Sequence, residues 1–119
     1  MKCALKIENL SYKNILKNIN IDIEDNNIYA LIGKSGSGKT TFLKCIFNLI
    51  KYEGTINSQY PLTKIGIYLN DIKFLYNDVY SNLSNPLINL GISKSNCKKT
   101  VFDICKKLDI ENLIYNNID

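Results

Sequence analysis

The sequence predicts an α/β fold, and three observations predict it. The first is the glycine-rich run Gly33-Lys34-Ser35-Gly36-Ser37-Gly38-Lys39-Thr40-Thr41. The second is the short apolar run before it, Ile28-Tyr29-Ala30-Leu31-Ile32, which reads as a buried parallel strand. The third is the pattern after it. Phe42, Cys45, Ile46 and Leu49 fall at helical spacing, and Leu43, Phe47 and Ile50 fill a second face. That spacing predicts a central, buried helix running to about Ile50. Strand, glycine loop and helix, in that order, form the frame that holds a polyphosphate.

The loop fits the P-loop pattern G-x-x-x-x-G-K-[ST]. Glycines let the backbone turn through positive φ and approach a phosphate with no Cβ in the way. Successive N–H groups then form an anion nest, and the following helix points its positive end at the same charge. In such a loop the lysine, Lys39, meets the outer phosphates, and the hydroxyl residue after it, Thr40, holds Mg2+.

Composition is that of a globular protein: 119 residues, 45% hydrophobic and 22% charged. No stretch approaches a membrane span, and the N-terminus lacks the apolar region of a secretory signal, so an intracellular chain is expected. The net charge is +4, and all 15 basic residues are lysine. A solvated lysine surface accounts for this better than a nucleic-acid interface, so no nucleic acid is expected as a partner. Without arginine the chain supplies no arginine finger. Cysteines at 3, 45, 97 and 105 form no C-x-x-C and there is no histidine, which removes the usual zinc signatures. Cys45, Cys97 and Cys105 sit in helical apolar patterns and read as reduced core residues.

Along the chain, residues 3–10 alternate as a half-buried strand, and Ile19-Asn20-Ile21-Asp22-Ile23 as an antiparallel strand with one wet face. Glu24-Asp25-Asn26-Asn27 is a turn. After the P-loop helix, Glu53-Gly54-Thr55-Ile56-Asn57 enters a short strand, and Lys64 to Leu69 reads as another, largely buried. From about residue 71 the pattern becomes helical. A short helix is expected over Asp78–Leu83, broken by Asn85-Pro86. A second is expected from near Asn96, capped by Ser93 or Ser95, with Cys97, Val101, Ile104, Cys105 and Leu108 on its apolar face. Asp109 to Leu113 opens a last short helix.

With these residues placed, the chain resembles the front part of an ATP-binding cassette (ABC) domain. The resemblance rests on Ile7-Glu8-Asn9-Leu10-Ser11-Tyr12, on Ile15-Leu16-Lys17-Asn18-Ile19-Asn20-Ile21, on the P-loop through Phe42-Leu43, on Gly54-Thr55-Ile56, and on the segment Asp71 to Leu83. It implies a P-loop NTPase core with an antiparallel β-subdomain over residues 1–70 and the start of a helical subdomain over 71–119. The resemblance implies that Tyr12 stacks on adenine. It implies that Gly33, Ser35, Gly36, Ser37, Gly38, Lys39, Thr40 and Thr41 cradle the phosphates of ATP, and that Thr40 ligates Mg2+. Lys34 stands where the family often has proline and reads as a surface lysine. Asn70 falls at the family's Q-loop glutamine, which implies a catalytic and Mg2+-binding place for it; its amide is one methylene shorter.

The family's L-S-G-G-Q-like signature, its Walker B carboxylates and its switch histidine are absent from these residues. Two functions follow as expectations. In one, the chain is the front part of an ABC transporter ATPase that couples ATP hydrolysis to transport. It then works with a transmembrane subunit or domain, peripheral to the membrane on the cytoplasmic side, and with a second ATP-binding domain in a head-to-tail dimer. In the other, it is a short, non-catalytic nucleotide-binding or partner-binding module. Turnover by these 119 residues alone is not expected. A GTPase is disfavoured because N-K-x-D and D-x-x-G are missing. With no Walker B strand beside it, the flank of Ile28–Ile32 is expected to be an apolar edge that makes the chain prone to aggregate.

Overall fold

The structure, a computed structural model, describes residues 2–71 and 73–118. The chain divides into two compact units, Met1–Leu69 and Asn70–Asp119.

The first unit is built on a three-stranded antiparallel sheet in the order β2-β1-β3, with β1 at Cys3–Tyr12, β2 at Leu16–Glu24 and β3 at Glu53–Ser58. The centre of β1 carries one extra residue. Ile7 pairs with Ile21 and Leu10 with Ile19 across to β2, and the same slip occurs between Glu8 and Ser11 across to β3. Asn9, at φ 53°, takes the left-handed conformation that a bulge needs. Strict alternation from Leu5 and Ile7 would send Asn9 inward. The bulge sends Leu10 inward instead, where it is fully buried.

Helix α1, Lys39–Ile46, packs Phe42 and Cys45 against Leu5, Ile7, Leu10 and Leu16. It is shorter than its apolar pattern predicts. Asn48 adopts φ 53°, and the Leu49 amide folds back onto the Lys44 carbonyl at 2.9 Å, which closes the helix. One face is buried, the second is half-buried, and Leu49 is exposed.

Two expected strands do not form. Residues 27–34 have no ladder partner among the described residues, and Ile28 and Ile32 are 101% and 90% exposed. Lys64 to Leu69 is likewise outside any strand; Tyr68 is exposed and Leu69 buried. The reason is common to both. A parallel strand exists only through its neighbours, and the sheet that forms here is the local, antiparallel one.

The second unit holds α2 (Val79–Asn89), α3 (Lys94–Lys107) and a 3-10 turn at Glu111–Leu113. Asp78 caps α2 by accepting the Ser81 amide at 2.8 Å, which holds its carboxyl below the usual range. Pro86 does not break this helix as expected: it lies inside it, on the exposed side. The Leu90 amide still reaches the Pro86 carbonyl, at 3.2 Å, and the Asn85 side chain donates to the Ser81 carbonyl at 2.8 Å. Ser93 caps α3, as one of the two serines expected. Cys97, Val101 and Cys105 are buried with Ile114, whereas Ile104 and Leu108 are exposed. The buried stripe is therefore narrower than the pattern suggested. The unit's small core takes one row of α3 and leaves the flanking apolar residues in water.

Candidate functional site

The start of β2 and helix α1 place the glycine loop. The loop leaves residue 32 and ends at Gly38, the residue preceding α1. Gly36 and Gly38 have φ of 79° and 98°, where any L side chain is strained. Gly38 is also tightly packed. A Cβ there would lie 2.8 Å from Ile15 Cγ2 and 3.1 Å from Leu16 Cδ2. The absent side chain thus lets the loop sit directly on the start of β2.

No side chain caps α1. The first amide to close on the helix is that of Phe42, which donates to the Gly38 carbonyl at 2.8 Å. The amides ahead of it have no partner within the helix, so they remain donors for an anion. Lys39 reaches back over the loop. Its Nζ donates to the carbonyls of Gly33 (2.6 Å) and Lys34 (2.8 Å) and lies 3.3 Å from Ser37 Oγ. The Ser37 amide closes the loop onto the Lys34 carbonyl at 3.1 Å.

These residues form an open cleft of about 370 Å³ lined by Ser35, Gly36, Gly38, Lys39, Thr40 and Thr41, with Ile15 as its apolar wall. Ile15 is a residue that sequence reasoning assigned to a strand. It lies in the turn before β2, and its amide donates to the Tyr12 carbonyl at 3.0 Å. No motif in the sequence marks it, because its place depends on the turn.

Tyr12, at the end of β1, is half-buried against the sheet core. It lines an adjacent cleft of about 430 Å³ with Ser11, Lys13, Lys51, Tyr52 and Glu53. The Lys13 ammonium stands 5.3 Å from the centre of its ring. Burial, with Cys45 beside it, raises the pKa of the Tyr52 phenol. Tyr12 and the P-loop therefore line separate clefts, and the turn carrying Ile15 follows Tyr12 in the chain. Asn70 belongs to the second unit, whereas every residue lining the P-loop cleft belongs to the first. No group of three or more carboxylate, cysteine or histidine side chains that could hold a metal ion occurs among the described residues.

Fitted against a polyphosphate, this donor set is coherent: free amides at a helix start, one ammonium, the hydroxyls of Ser35, Thr40 and Thr41, and glycines at positive φ. The family model describing ABC transporters matches residues 16–119. The chain belongs to the ABC transporter family. Among proteins similar to this ABC chain is the lipoprotein-releasing system ATP-binding protein LolD of Buchnera aphidicola, 31% identical over 89% of the chain and 56% of the relative. Another is the lantibiotic transport ATP-binding protein SrtF of Streptococcus pyogenes, 33% identical over 92% of the chain and 51% of the relative. The fold is that of cbiO1 from Clostridium perfringens, described as part of the ABC transporter complex cbiONQ. That match has a TM-score of 0.72 at 23% identity and covers 98% of this chain and 55% of that one. The ABC chain spans about half the length of the curated relatives it matches. No helix among its described residues is long and apolar enough to cross a membrane.

Proposed function

We propose that this chain binds the triphosphate of ATP in the P-loop cleft, as the nucleotide-holding part of an ABC transporter ATPase. The observation that carries the reading is Lys39. Its ammonium rests on the Gly33 and Lys34 carbonyls across a loop whose helix-start amides have no partner within the helix. A polyphosphate entering the cleft offers those amides acceptors and the lysine a stronger partner than a neutral carbonyl.

In this reading Gly33, Ser35, Gly36, Ser37 and Gly38 shape the backbone cradle, Thr41 adds a donor, and Tyr12 supplies an aromatic face for the adenine. Thr40 is the hydroxyl ligand to Mg2+, which would neutralise phosphate charge when bound. Hydrolysis needs a carboxylate to orient water. The Walker B carboxylates that the resemblance implies for that role are absent from these 119 residues. The partners proposed are a transmembrane subunit or domain and a second ATP-binding domain facing this one, with the chain held at the membrane through the former.

Isothermal titration of the full chain with ATP and Mg2+ tests the binding. Saturable heat that inorganic phosphate alone does not reproduce is expected, with no phosphate released on incubation. Absence of saturable heat from the folded wild-type chain would overturn the reading.

A further inference from the structure

The outer face of α3 carries a basic stripe that neither the P-loop nor the core of its own unit uses. Lys98, Phe102 and Lys106 recur every four residues, so they stand one above another on the helix. Lys99 and Ser95 flank them. Ser95, Lys98, Lys99 and Phe102 line a shallow cleft of about 330 Å³.

The aromatic in this stripe is held in place. Tyr115 meets the Phe102 ring edge-on at 6.2 Å and packs against Tyr80 at 5.8 Å. Lys98 Nζ lies 5.9 Å from the Phe102 ring centre. A ring fixed in this way binds at little entropic cost. The charge is one-sided. Asp103 is the only carboxylate in α3, and no ion pair engages Lys98, Lys99 or Lys106 among the described residues. Lys98 leans on the Phe102 ring, and all three lysines are exposed to solvent.

We infer that this face docks an acidic polypeptide segment of a partner protein, with an apolar side chain seated on Phe102 and carboxylates on Lys98, Lys99 and Lys106. Charge complementarity selects the acidic partner, and the shape selects a peptide. Phe102 is 36% exposed and is the one apolar side chain lining the cleft, whereas a membrane-inserting helix face needs a broad apolar surface. A single-stranded nucleic acid needs successive stacking faces along a groove, and only one ring of this stripe lines the cleft.

The test is fluorescence anisotropy of the full chain with a fluorescein-labelled peptide of aspartate and glutamate around one central leucine. Wild type is expected to bind it, and the double variant Lys98→Glu/Lys99→Glu to bind at least about tenfold more weakly. Its charge changes lie on the exposed face and leave the circular dichroism unchanged. A peptide with glycine in place of the leucine is expected to bind less tightly to wild type. Phe102→Leu, which keeps an apolar seat, retains binding if the fold is intact. Equal binding by wild type and the double variant would overturn the inference. So would preferential capture by phosphatidylserine vesicles or by polyuridylate, each of which assigns the face to a different partner.

Discussion

Lys39 donates from Nζ to the carbonyl oxygen of Gly33 at 2.6 Å, bridging the helix start to the far end of the loop that precedes it. Together with the bond to Lys34, this ties the two ends of the loop together and keeps the charge at the cleft that Lys39 lines. The side chain that would bind phosphate is thus kept in position by the loop's own carbonyls.

The substitution Lys39→Ala removes those bonds and the cation. A hydrogen bond to a charged group contributes about 1.5–3 kcal/mol. The ATP dissociation constant is therefore expected to rise about 10- to 100-fold. Titration calorimetry measures this, with circular dichroism to show that the sheet core, which Lys39 does not join, is intact.

A second prediction concerns Gly54 and the bulge at Asn9. Gly54 has φ 99°, and a Cβ there would lie 2.5 Å from the Asn9 carbonyl oxygen and 2.6 Å from that of Glu8. These are backbone atoms that cannot swing aside. The substitution Gly54→Ala adds left-handed strain to this overlap, and a destabilisation of about 2–4 kcal/mol is expected. Urea denaturation of the two proteins gives the number. A midpoint within error of wild type would mean that β3 does not approach β1 this closely.

Gly54 also marks what was legible from residues alone. Local signals survived. The presence of β1 and β2, the turn at Asn26, the P-loop glycines and the Ser93 cap each depend on chemistry within a few residues, whereas strict alternation fails at the Asn9 bulge in β1 and at Ile21, which is exposed in β2. The signals that failed depend on distant partners. Ile28–Ile32 has the composition of a central strand and is bare because no described strand pairs with it. Ile104 and Leu108 have core spacing, yet the buried row of α3 is Cys97, Val101 and Cys105. At the site, the loop could be read from its motif. The separation of the Tyr12 cleft from the P-loop cleft, and the place of Ile15 in the latter, depend on a turn that no motif encodes.

Pro86 offers a third prediction. It lies in the interior of α2, where it gives no amide to the carbonyl one turn back. Interior proline costs a helix about 3 kcal/mol relative to alanine, offset by about 0.4–1 kcal/mol from its stiffening of the unfolded chain. The site is exposed, so Pro86→Ala is expected to stabilise the helical unit by about 2–2.5 kcal/mol. Thermal melts followed at 222 nm should shift upward. A downward shift would show that the proline ring packs rather than merely interrupts.

The cysteines give a pH-dependent prediction. Cys3 is exposed, and Cys45, Cys97 and Cys105 are buried. Burial raises the Cys45 thiol above its ordinary pKa of 9.0. A raised folded value means that the thiol's contribution to stability is complete below the unfolded pKa and is lost as pH rises through the folded one. Alkylation near pH 8 is therefore expected to add one label, at Cys3, with the rest appearing only in denaturant or on the alkaline side. Intact mass spectrometry counts the labels. Rapid modification of Cys45 at neutral pH would contradict its place under Phe42 and Leu10.

The last prediction follows from the bare run Ile28–Ile32. Its two end isoleucines are almost wholly exposed, at 101% and 90%, and residues 27–34 have no ladder partner among the described residues. Apolar, β-branched and unpaired, this run is a template on which a second chain can add a strand. Because neither side chain contributes to the sheet core, replacing both with lysine should leave the unfolding midpoint within about 0.5 kcal/mol of wild type. The same change places two like charges on any strand-to-strand contact between copies. Ile28→Lys/Ile32→Lys is therefore expected to raise solubility and suppress light scattering on concentration without stabilising the fold. Static light scattering and urea denaturation, run together, separate the two effects. A large loss of stability in the variant would place these isoleucines inside a core, and unchanged scattering would move the aggregation-prone surface elsewhere.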